Sequence, residues 1–386
     1  MFQLRTLPLF LSTFVLMTGY GSIFTLLAVI RETFGLSEAE VGVVGAAGFL
    51  AGFVAQIGLA RFADRGRTRL LLQLGLLCAI AGNVGMIFAA DFWGLVAARV
   101  LLGLGGGAFS PAVRRLVIAA DPARAGERLG LLASFDMAGL IAGPVLASIL
   151  YQGFGLDATF LALAGMLAVL VLPVLRVPFE ESPPRDATGS PLAALLSLRA
   201  IRGVLLCSLA FYITIGVFEA IWAVFLDDLG ASQTYIGATI SVFSLPMLIL
   251  PAFAGRFAGR VGPLRVVALS VGCAIPCMAL YAVVTDLVGL ALLVFLHAIF
   301  DACTMPSLQL GIARASPAEH LASGQGLVGG AGQLTAAATA LASGWIYGLW
   351  GAEALFFGSA GLMTILLVLG LWQGVSLMSP AEPPSA

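Results

Sequence analysis

Twelve apolar stretches of about 18 to 25 residues divide this chain, at roughly 7–30, 41–60, 70–90, 92–113, 129–151, 158–175, 201–226, 235–254, 265–284, 287–310, 324–347 and 354–375. A helix rising about 1.5 Å per residue crosses a hydrocarbon core of about 30 Å with about 20 residues, so each stretch is predicted to be a transmembrane helix. Lipid offers the backbone no hydrogen-bonding partner, and a helix satisfies its own N–H and C=O groups. Composition leaves no other solvent. With 60% hydrophobic residues, 10% charged residues and a mean hydropathy of +1.05, no soluble core could hide this much apolar surface. The expected fold class is an all-α membrane protein with twelve transmembrane helices. Connections of about a dozen residues leave no room for an extramembrane domain, so activity must lie within the helices.

The helices fall into two sets of six. Arg61-Phe62-Ala63-Asp64-Arg65 returns as Arg256-Phe257-Ala258-Gly259-Arg260, 195 residues on (256 − 61). At the same offset Gly35-Leu36-Ser37 returns as Gly230-Ala231-Ser232, Asp91 as Asp286 and Pro111 as Pro306. One residue later, at 196, Tyr151, Gly155, Asp157 and Phe160 return as Tyr347, Gly351, Glu353 and Phe356. The order of loop residues is kept throughout, which implies parallel repeats. The expected organisation is a first six-helix bundle over 1–176, a cytoplasmic linker over 177–199, a second bundle over 200–376 and a cytoplasmic tail over 377–386. The linker carries Pro178, Glu180, Glu181, Pro183, Pro184, Arg185, Asp186 and Pro191, the composition of a solvated strap.

All 19 basic residues are arginine. With the N-terminus inside, 17 of them fall in the N-terminal segment, the even-numbered loops and the linker, so the positive-inside rule places both termini in the cytoplasm. Arg31 alone is then external, and Arg99 alone lies within a helix. The net charge of −1 gives no case for nucleic-acid binding. The first span is too long for a signal-peptide core and is expected to stay in the mature chain. The cysteines lie within spans, where they act as small apolar filler, and neither a disulfide nor a metal site is expected of them.

Three motifs carry a resemblance. The loop Ala60-Arg61-Phe62-Ala63-Asp64-Arg65-Gly66-Arg67-Thr68-Arg69, with its counterpart Gly255-Arg256-Phe257-Ala258-Gly259-Arg260-Val261-Gly262, resembles the signature loop of the major facilitator superfamily. The first copy has Ala60 at the leading glycine and brings Gly66 one place early; the second replaces the acid with Gly259. Leu95-x-x-x-Arg99-x-x-Leu102-Gly103-x-Gly105 is similar to that superfamily's arginine element in span four. Gly139-x-x-x-Gly143-Pro144-x-x-Ala147-Ser148 is similar to the span-five element of its drug–proton exchanger branches, with Ala147 and Ser148 in place of two glycines. The resemblance covers the whole chain. It implies a secondary transporter with two rocking six-helix halves, and a conformational loop formed by Arg61, Asp64, Arg65, Arg256 and Arg260, strong at Asp64 and weak at Gly259. Gly139, Gly143 and Pro144 would form a flat, kinked helix interface. It suits two moving halves, or ordinary packing between small residues.

Candidate chemistry is expected where one repeat has an ionisable group and the other has none. Arg99 matches Val294, Glu219 matches Phe24, Asp301 matches Gly106 and Asp136 matches Gly332. An intramembrane ionisable group is costly and points to a substrate or proton path. Glu219, with Tyr212 two turns earlier and Trp222 nearby, reads as a seat for an organic cation; Trp222 also reads as an interfacial aromatic anchor. His297 and Asp301, four apart, read as a proton relay or cation site, as a structural pair, or as a partner for Arg99. Asp136 reads as a coupling carboxylate or as the partner of a cytoplasmic arginine, and Arg99 as a functional or a snorkelling residue.

These residues point to a bacterial inner-membrane transporter, expected to be a monomer in the lipid bilayer, that couples protons to efflux of small amphipathic or cationic compounds. The alternative is proton-coupled uptake of a small metabolite. Remoter readings are a metal-dependent membrane enzyme built on His297 and Asp301, and a transporter-like sensor. No enzyme activity, metal or cofactor is expected, and no Walker sequence is present.

Overall fold

The computed structural model describes residues 6–179 and 191–379, which form helices and turns and include no strand. The centre of the expected linker, with Glu180, Glu181, Pro183, Pro184, Arg185 and Asp186, and the tail from 380 onward lie outside the described residues. Twelve helices are labelled in chain order: α1 Leu7–Phe34, α2 Glu38–Phe62, α3 Thr68–Phe88, α4 Phe92–Ala120, α5 Ala125–Leu175, α6 Pro191–Ser197, α7 Arg199–Asp228, α8 Gln233–Ile249, α9 Pro251–Val261, α10 Pro263–Leu280, α11 Leu287–Ala315 and α12 Leu321–Gln373.

Helices and membrane crossings are not one to one. With the short turns that precede them, α5 and α12 run for 54 and 56 residues, far longer than one crossing of about 20. A single glycine interrupts each: Gly155 at φ 87°, ψ −179° and Gly351 at φ 79°, ψ −177°, a backbone region that is essentially glycine's alone. Each helix therefore supplies two crossings. Conversely, α8 and α9 meet at a 48° bend at Leu250 and make one crossing, while α6 is a seven-residue piece of the linker. Among the described residues the chain thus makes twelve crossings.

Helix ends repeat as the sequence does. Ser37 opens α2 by accepting from the Glu40 N–H, and the Glu40 carboxylate accepts from the Ser37 N–H, a reciprocal cap. Ser232 opens α8 by accepting from the Tyr235 N–H. Gly35, in the left-handed region at φ 62°, closes α1, and Gly230 at φ 79° follows α7.

By contacts the chain forms two compact units that do not follow the repeat boundary. The first comprises 1–120, 135–191 and 318–330; the second comprises 121–134, 192–317 and 331–386. Each thus holds most of one repeat together with the start of a long helix from the other. In the first unit α2 and α4 cross at backbone distance: a Cβ on Gly103 would lie 2.0 Å from the Gly48 carbonyl, and one on Gly107 would lie 2.4 Å from that of Gly52. Ile23, Leu26, Met86, Leu95 and Phe160 fill the core beside this crossing. In the second unit Phe218, Trp222, Phe225, Tyr281 and Phe356 stack edge and face, with neighbouring ring centroids 4.8 to 6.2 Å apart.

One span differs from its expected extent. α4 runs to Ala120, so Arg114 and Arg115, expected in the following loop, lie inside the helix, and Arg115 is buried. Both find polar neighbours there, as described below.

The glycine breaks are testable. Gly155→Ala should destabilise the protein by about 1–3 kcal/mol in micellar unfolding, the range for holding a side chain in a disallowed backbone region. Gly153→Ala, two residues away where an added Cβ meets nothing within 4 Å, should be neutral or stabilising.

Candidate functional site

After α2 the chain makes a π-helical turn over Ala63–Arg67, in which Gly66 takes a left-handed conformation at φ 76°, ψ 24°. This is the reason for the early glycine in the loop. The turn sends Asp64 inward, where it is 5% exposed, while Arg61 and Arg67 remain outside over the Phe62 ring at 5.1 and 5.8 Å. Inside the first unit, the Asp64 carboxylate accepts from the Ala322 N–H (2.8 Å), the Ser323 N–H (2.8 Å) and the Ser323 hydroxyl (2.7 Å). α12 begins at Leu321, so these amides are among the first four of a helix, which lack intrahelical partners and form its positive end. Arg115 Nε lies 3.4 Å from Asp64 Oδ1, and Arg115 Nη1 donates to Thr68 Oγ1 at 3.1 Å. Burial pushes the Asp64 carboxyl above its ordinary range, against the opposing pull of these hydrogen bonds and of Arg115.

The second unit holds a counterpart with its charges transposed. Glu127, in the first turn of α5 and ahead of the span, accepts from Arg256 Nη2 at 2.8 Å and from Arg124 through Nε (3.0 Å) and Nη2 (2.8 Å). Hydrogen bonds from Arg256 and then Arg124 bring its carboxyl down to about 2. Glu127 is the repeat image of Ser323 (323 − 127 = 196), and Arg256 is that of Arg61. The acid sits on the loop in one copy and on the receiving helix in the other. At Gly259, the image of Asp64, the backbone carbonyl accepts from Arg314 Nη2 at 2.8 Å.

Backbones come close beneath both pairs. A Cβ on Gly130 would lie 1.9 Å from the Pro251 carbonyl, and one on Gly326 would lie 2.3 Å from that of Gln56; these positions are images of one another. Where the second loop has Gly259 in place of the acid, Glu127 supplies a carboxylate from the other side. Arg260 and Arg65 are exposed and half-buried respectively, away from the centre of either pair.

The intramembrane candidates separate by surroundings. Arg99 is 2% exposed; its Nε donates to the Val44 carbonyl and its Nη2 to that of Gly45, each at 3.2 Å. It does not snorkel, because α2 supplies carbonyls within reach. Asp136 is half-buried in the first unit with Arg114 as its charge partner, and Arg114 Nη1 approaches Gly329 of α12.

Gly139 and Gly143 pack on α1 inside the first unit. A Cβ on Gly139 would meet the Phe14 carbonyl at 2.2 Å, and the Ser22 hydroxyl donates to the Gly143 carbonyl at 3.0 Å. Pro144 sits on this surface, 3.1 Å from the place of a Cβ on Gly21. The small-residue face packs on α1, which offers a matching groove at Gly21 and Ser22.

Glu219 is exposed, on the same face of α7 as half-buried Tyr212, which packs on Gly332 and Met305. Trp222 lies on the inward side of α7. It is 4% exposed in the aromatic core and donates through Nε1 to Thr239 Oγ1 at 3.1 Å, because its face of α7 turns inward where that of Glu219 turns out.

His297 and Asp301 are sealed in the second unit at 0% and 1% exposure, with Nε2 and Oδ1 3.8 Å apart, beyond hydrogen-bond reach. Tyr281 Oη lies 3.2 Å from His297 Nδ1. Among the described residues no three His, Cys, Asp or Glu side chains are placed to hold a metal ion.

Comparison with known proteins decides the family. The model of the Major Facilitator Superfamily matches residues 9–218 and 204–384, nearly the whole chain. The chain belongs to the major facilitator superfamily. Members are transporters rather than enzymes. Multidrug resistance protein MdtG of Proteus mirabilis (strain HI4320) is 27% identical over 307 residues, spanning 75% of this chain and 76% of that protein. The multi-drug resistance efflux pump PmrA homolog of Lactococcus lactis subsp. lactis (strain IL1403) is 24% identical over 279 residues, 69% of each. The fold matches the crystal structure of the human organic anion transporter MFSD10 (TETRAN) with a TM-score of 0.79 at 18% identity, covering 95% of this chain and 98% of that one. It matches the E. coli fucose:proton symporter FucP at 0.76 and 12%, covering 95% and 97%.

Within this superfamily fold, sequence reasoning missed Arg115, Ser323, Glu127 and Arg114. The repeat offset was a usable signal for Glu127, since it pairs that acid with the serine that Asp64 reaches. The Glu127 pair makes a signed prediction. Its folded value of about 2 lies below the ordinary 4.5, so its contribution is fully present above pH 4.5 and is lost as pH falls toward 2. Melting midpoints from pH 6 to about pH 3 should fall more steeply in the native protein than in Glu127→Gln. Parallel slopes would remove the ion pair from the folding equilibrium.

Proposed function

We propose that this chain is a proton-coupled exporter of small amphipathic or cationic compounds in the bacterial inner membrane, working by alternating access with both termini in the cytoplasm. The distribution of arginine supports the orientation. The names of the MdtG and PmrA relatives support efflux.

The observation that carries the proton assignment is the exposure of Glu219. It lies nine residues before the end of α7 at Asp228, about 14 Å along the helix, well inside the bilayer. A carboxylate exposed at that depth is tolerable only where water reaches it. Glu219 can therefore exchange a proton with an aqueous path and pair with a cation, while Tyr212 on the same face offers an aromatic surface. Asp301 is sealed beside His297 and has no such access. Asp136 is half-buried and lies in the field of Arg114. Glu219 is the coupling residue in this reading; Asp301 and His297 are buried residues of the second unit.

The two cytoplasmic clasps, Asp64 on the start of α12 and Arg256 on Glu127, sit where each long helix begins. In this reading the transport cycle loosens both. One proton crossing a potential of 150 mV supplies about 3.5 kcal/mol, at about 2.3 kcal/mol per 100 mV. At about 1.4 kcal/mol per tenfold, that sustains a solute gradient of a few hundredfold.

Purified protein in liposomes, loaded with a fluorescent lipophilic cation such as ethidium, should show transport driven by an imposed pH gradient. Glu219→Gln should lower that transport at least about tenfold, the loss of one coupling step at about 1.4 kcal/mol, while Asp301→Asn should retain it. Transport that ignores the pH gradient, or that survives in Glu219→Gln, would sink the proposal; gradient-driven accumulation in the opposite sense would favour uptake. In the same assay Asp64→Asn should slow transport far more than Gly259→Ala, and Glu127→Gln should slow it as Asp64→Asn does.

A further inference from the structure

The turn after α2 directs its charges to opposite sides. Asp64 points inward and is held by the first amides of α12 and by Arg115. Arg61 and Arg67 stay outside, both exposed, with their guanidinium carbons 5.1 and 5.8 Å from the centroid of the Phe62 ring. One ring thus gathers two cations into a single patch, and a ring attracts a cation without neutralising it. Among the described residues neither guanidinium has an ion-pair or hydrogen-bond partner in the protein.

Below this patch the surface is apolar. α2 has 25 residues and rises about 37 Å, more than the hydrocarbon core of about 30 Å, so Arg61 in its last turn stands at headgroup level. Leu50, Val54 and Gly58 lead up to Arg61 on one exposed face of α2, and Leu70, Leu74 and Leu77 follow Arg67 on one exposed face of α3. Gly58, one turn from Arg61, leaves open space, since an added Cβ would meet nothing within 4 Å. α3 contains no acid. The second copy of the turn lacks this arrangement. Arg256, the image of Arg61, is taken by Glu127 at 2.8 Å. The image of Arg67 is Gly262, where a Cβ would lie 2.4 Å from the Met378 carbonyl.

We infer that the patch formed by Arg61, Phe62 and Arg67 is a binding site for the headgroup of an anionic phospholipid, whose acyl chains lie along the exposed faces of α2 and α3. Arginine meets phosphate oxygens with paired hydrogen bonds, and two guanidiniums on one ring offer donors to the same headgroup. A zwitterionic headgroup brings a cation of its own, which two arginines repel, whereas an anionic one does not. The apolar stripes favour a lipid over free phosphate, because its chains add contact where a soluble anion has none. The leaflet is the one that faces the Ala63–Arg67 turn. The site involves neither Glu219 nor the direction of transport, and its test does not depend on the proposed export.

The test uses the purified full chain in detergent micelles, titrated with dioleoyl phosphatidylglycerol or dioleoyl phosphatidylcholine and read by native mass spectrometry. A saturable phosphatidylglycerol adduct is expected at concentrations where phosphatidylcholine gives none. An arginine beside an anionic lipid contributes about fivefold in affinity, so Arg61→Gln and Arg67→Gln should each weaken the adduct by about that factor, and the double variant by at least about tenfold. Arg260→Gln, which removes an exposed arginine from the second copy of the turn, should leave it unchanged. These side chains are exposed, so the variants should keep the fold. The melting temperature should rise with phosphatidylglycerol and not with glycerol phosphate, which carries the phosphate without the chains. Equal retention of the two lipids, an undiminished adduct in the double variant, equal weakening in Arg260→Gln, or an equal response to glycerol phosphate would overturn the assignment.

Discussion

In hydrocarbon a polar group must find its partner within the protein or in a water-filled path, and this structure is organised by that requirement. It makes every crossing helical. It also sorts the few intramembrane side chains that carry charge. Arg99 reaches the carbonyls of Val44 and Gly45, His297 meets the Tyr281 hydroxyl with Asp301 3.8 Å away, and Asp136 is half-buried in the field of Arg114. Glu219 is the member of this set that the fold leaves exposed. The distinction between buried and exposed acids, more than their shared presence in spans, separates their surroundings.

The same requirement shapes the helix starts. An N-terminal turn brings amides without partners, and a buried turn needs an acceptor. At the start of α12 the acceptor comes from another helix, as Asp64. At the start of α5, Glu127 instead reaches outward to Arg124 and Arg256. Duplication provided two equivalent contacts, each a close approach of backbones through Gly130 or Gly326, and the two copies solved the charge problem in opposite senses. The loop acid and the helix acid are alternatives: placing both in one copy would set Asp64 against a carboxylate at position 323.

Most of the architecture was legible in the chain, because apolar length and a repeat offset are one-dimensional signals. The twelve crossings, the two sets of six and the positions of Gly155 and Gly351 follow from them. What was not legible depends on which way a helix faces. Glu219 and Trp222 are three residues apart, and sequence spacing placed them together; the packing of α7 turns the indole into the aromatic core and the carboxylate out of it. Gly139 and Gly143 announced a close contact without naming the partner, which is α1. Arg114 and Arg115 counted toward topology as loop charges, although their helix continues to Ala120 and puts them to structural use.

Arg115 shows why counting charges and placing them are different problems. Its side chain is 8% exposed, yet it lies within 3.4 Å of a carboxylate that is itself bound to three donors. Removing Arg115 would leave Asp64 with its three hydrogen bonds but without a neighbouring full charge. Removing Asp64 would leave Arg115 and the first amides of α12 facing one another, all positive. The acid is thus the indispensable member of the cluster, because it alone balances a cation and a helix end together. In the second unit Glu127 holds that position between two arginines. An anionic centre flanked by positive groups is what the two clasps have in common, and it is conserved between the repeats even though no single residue of it is.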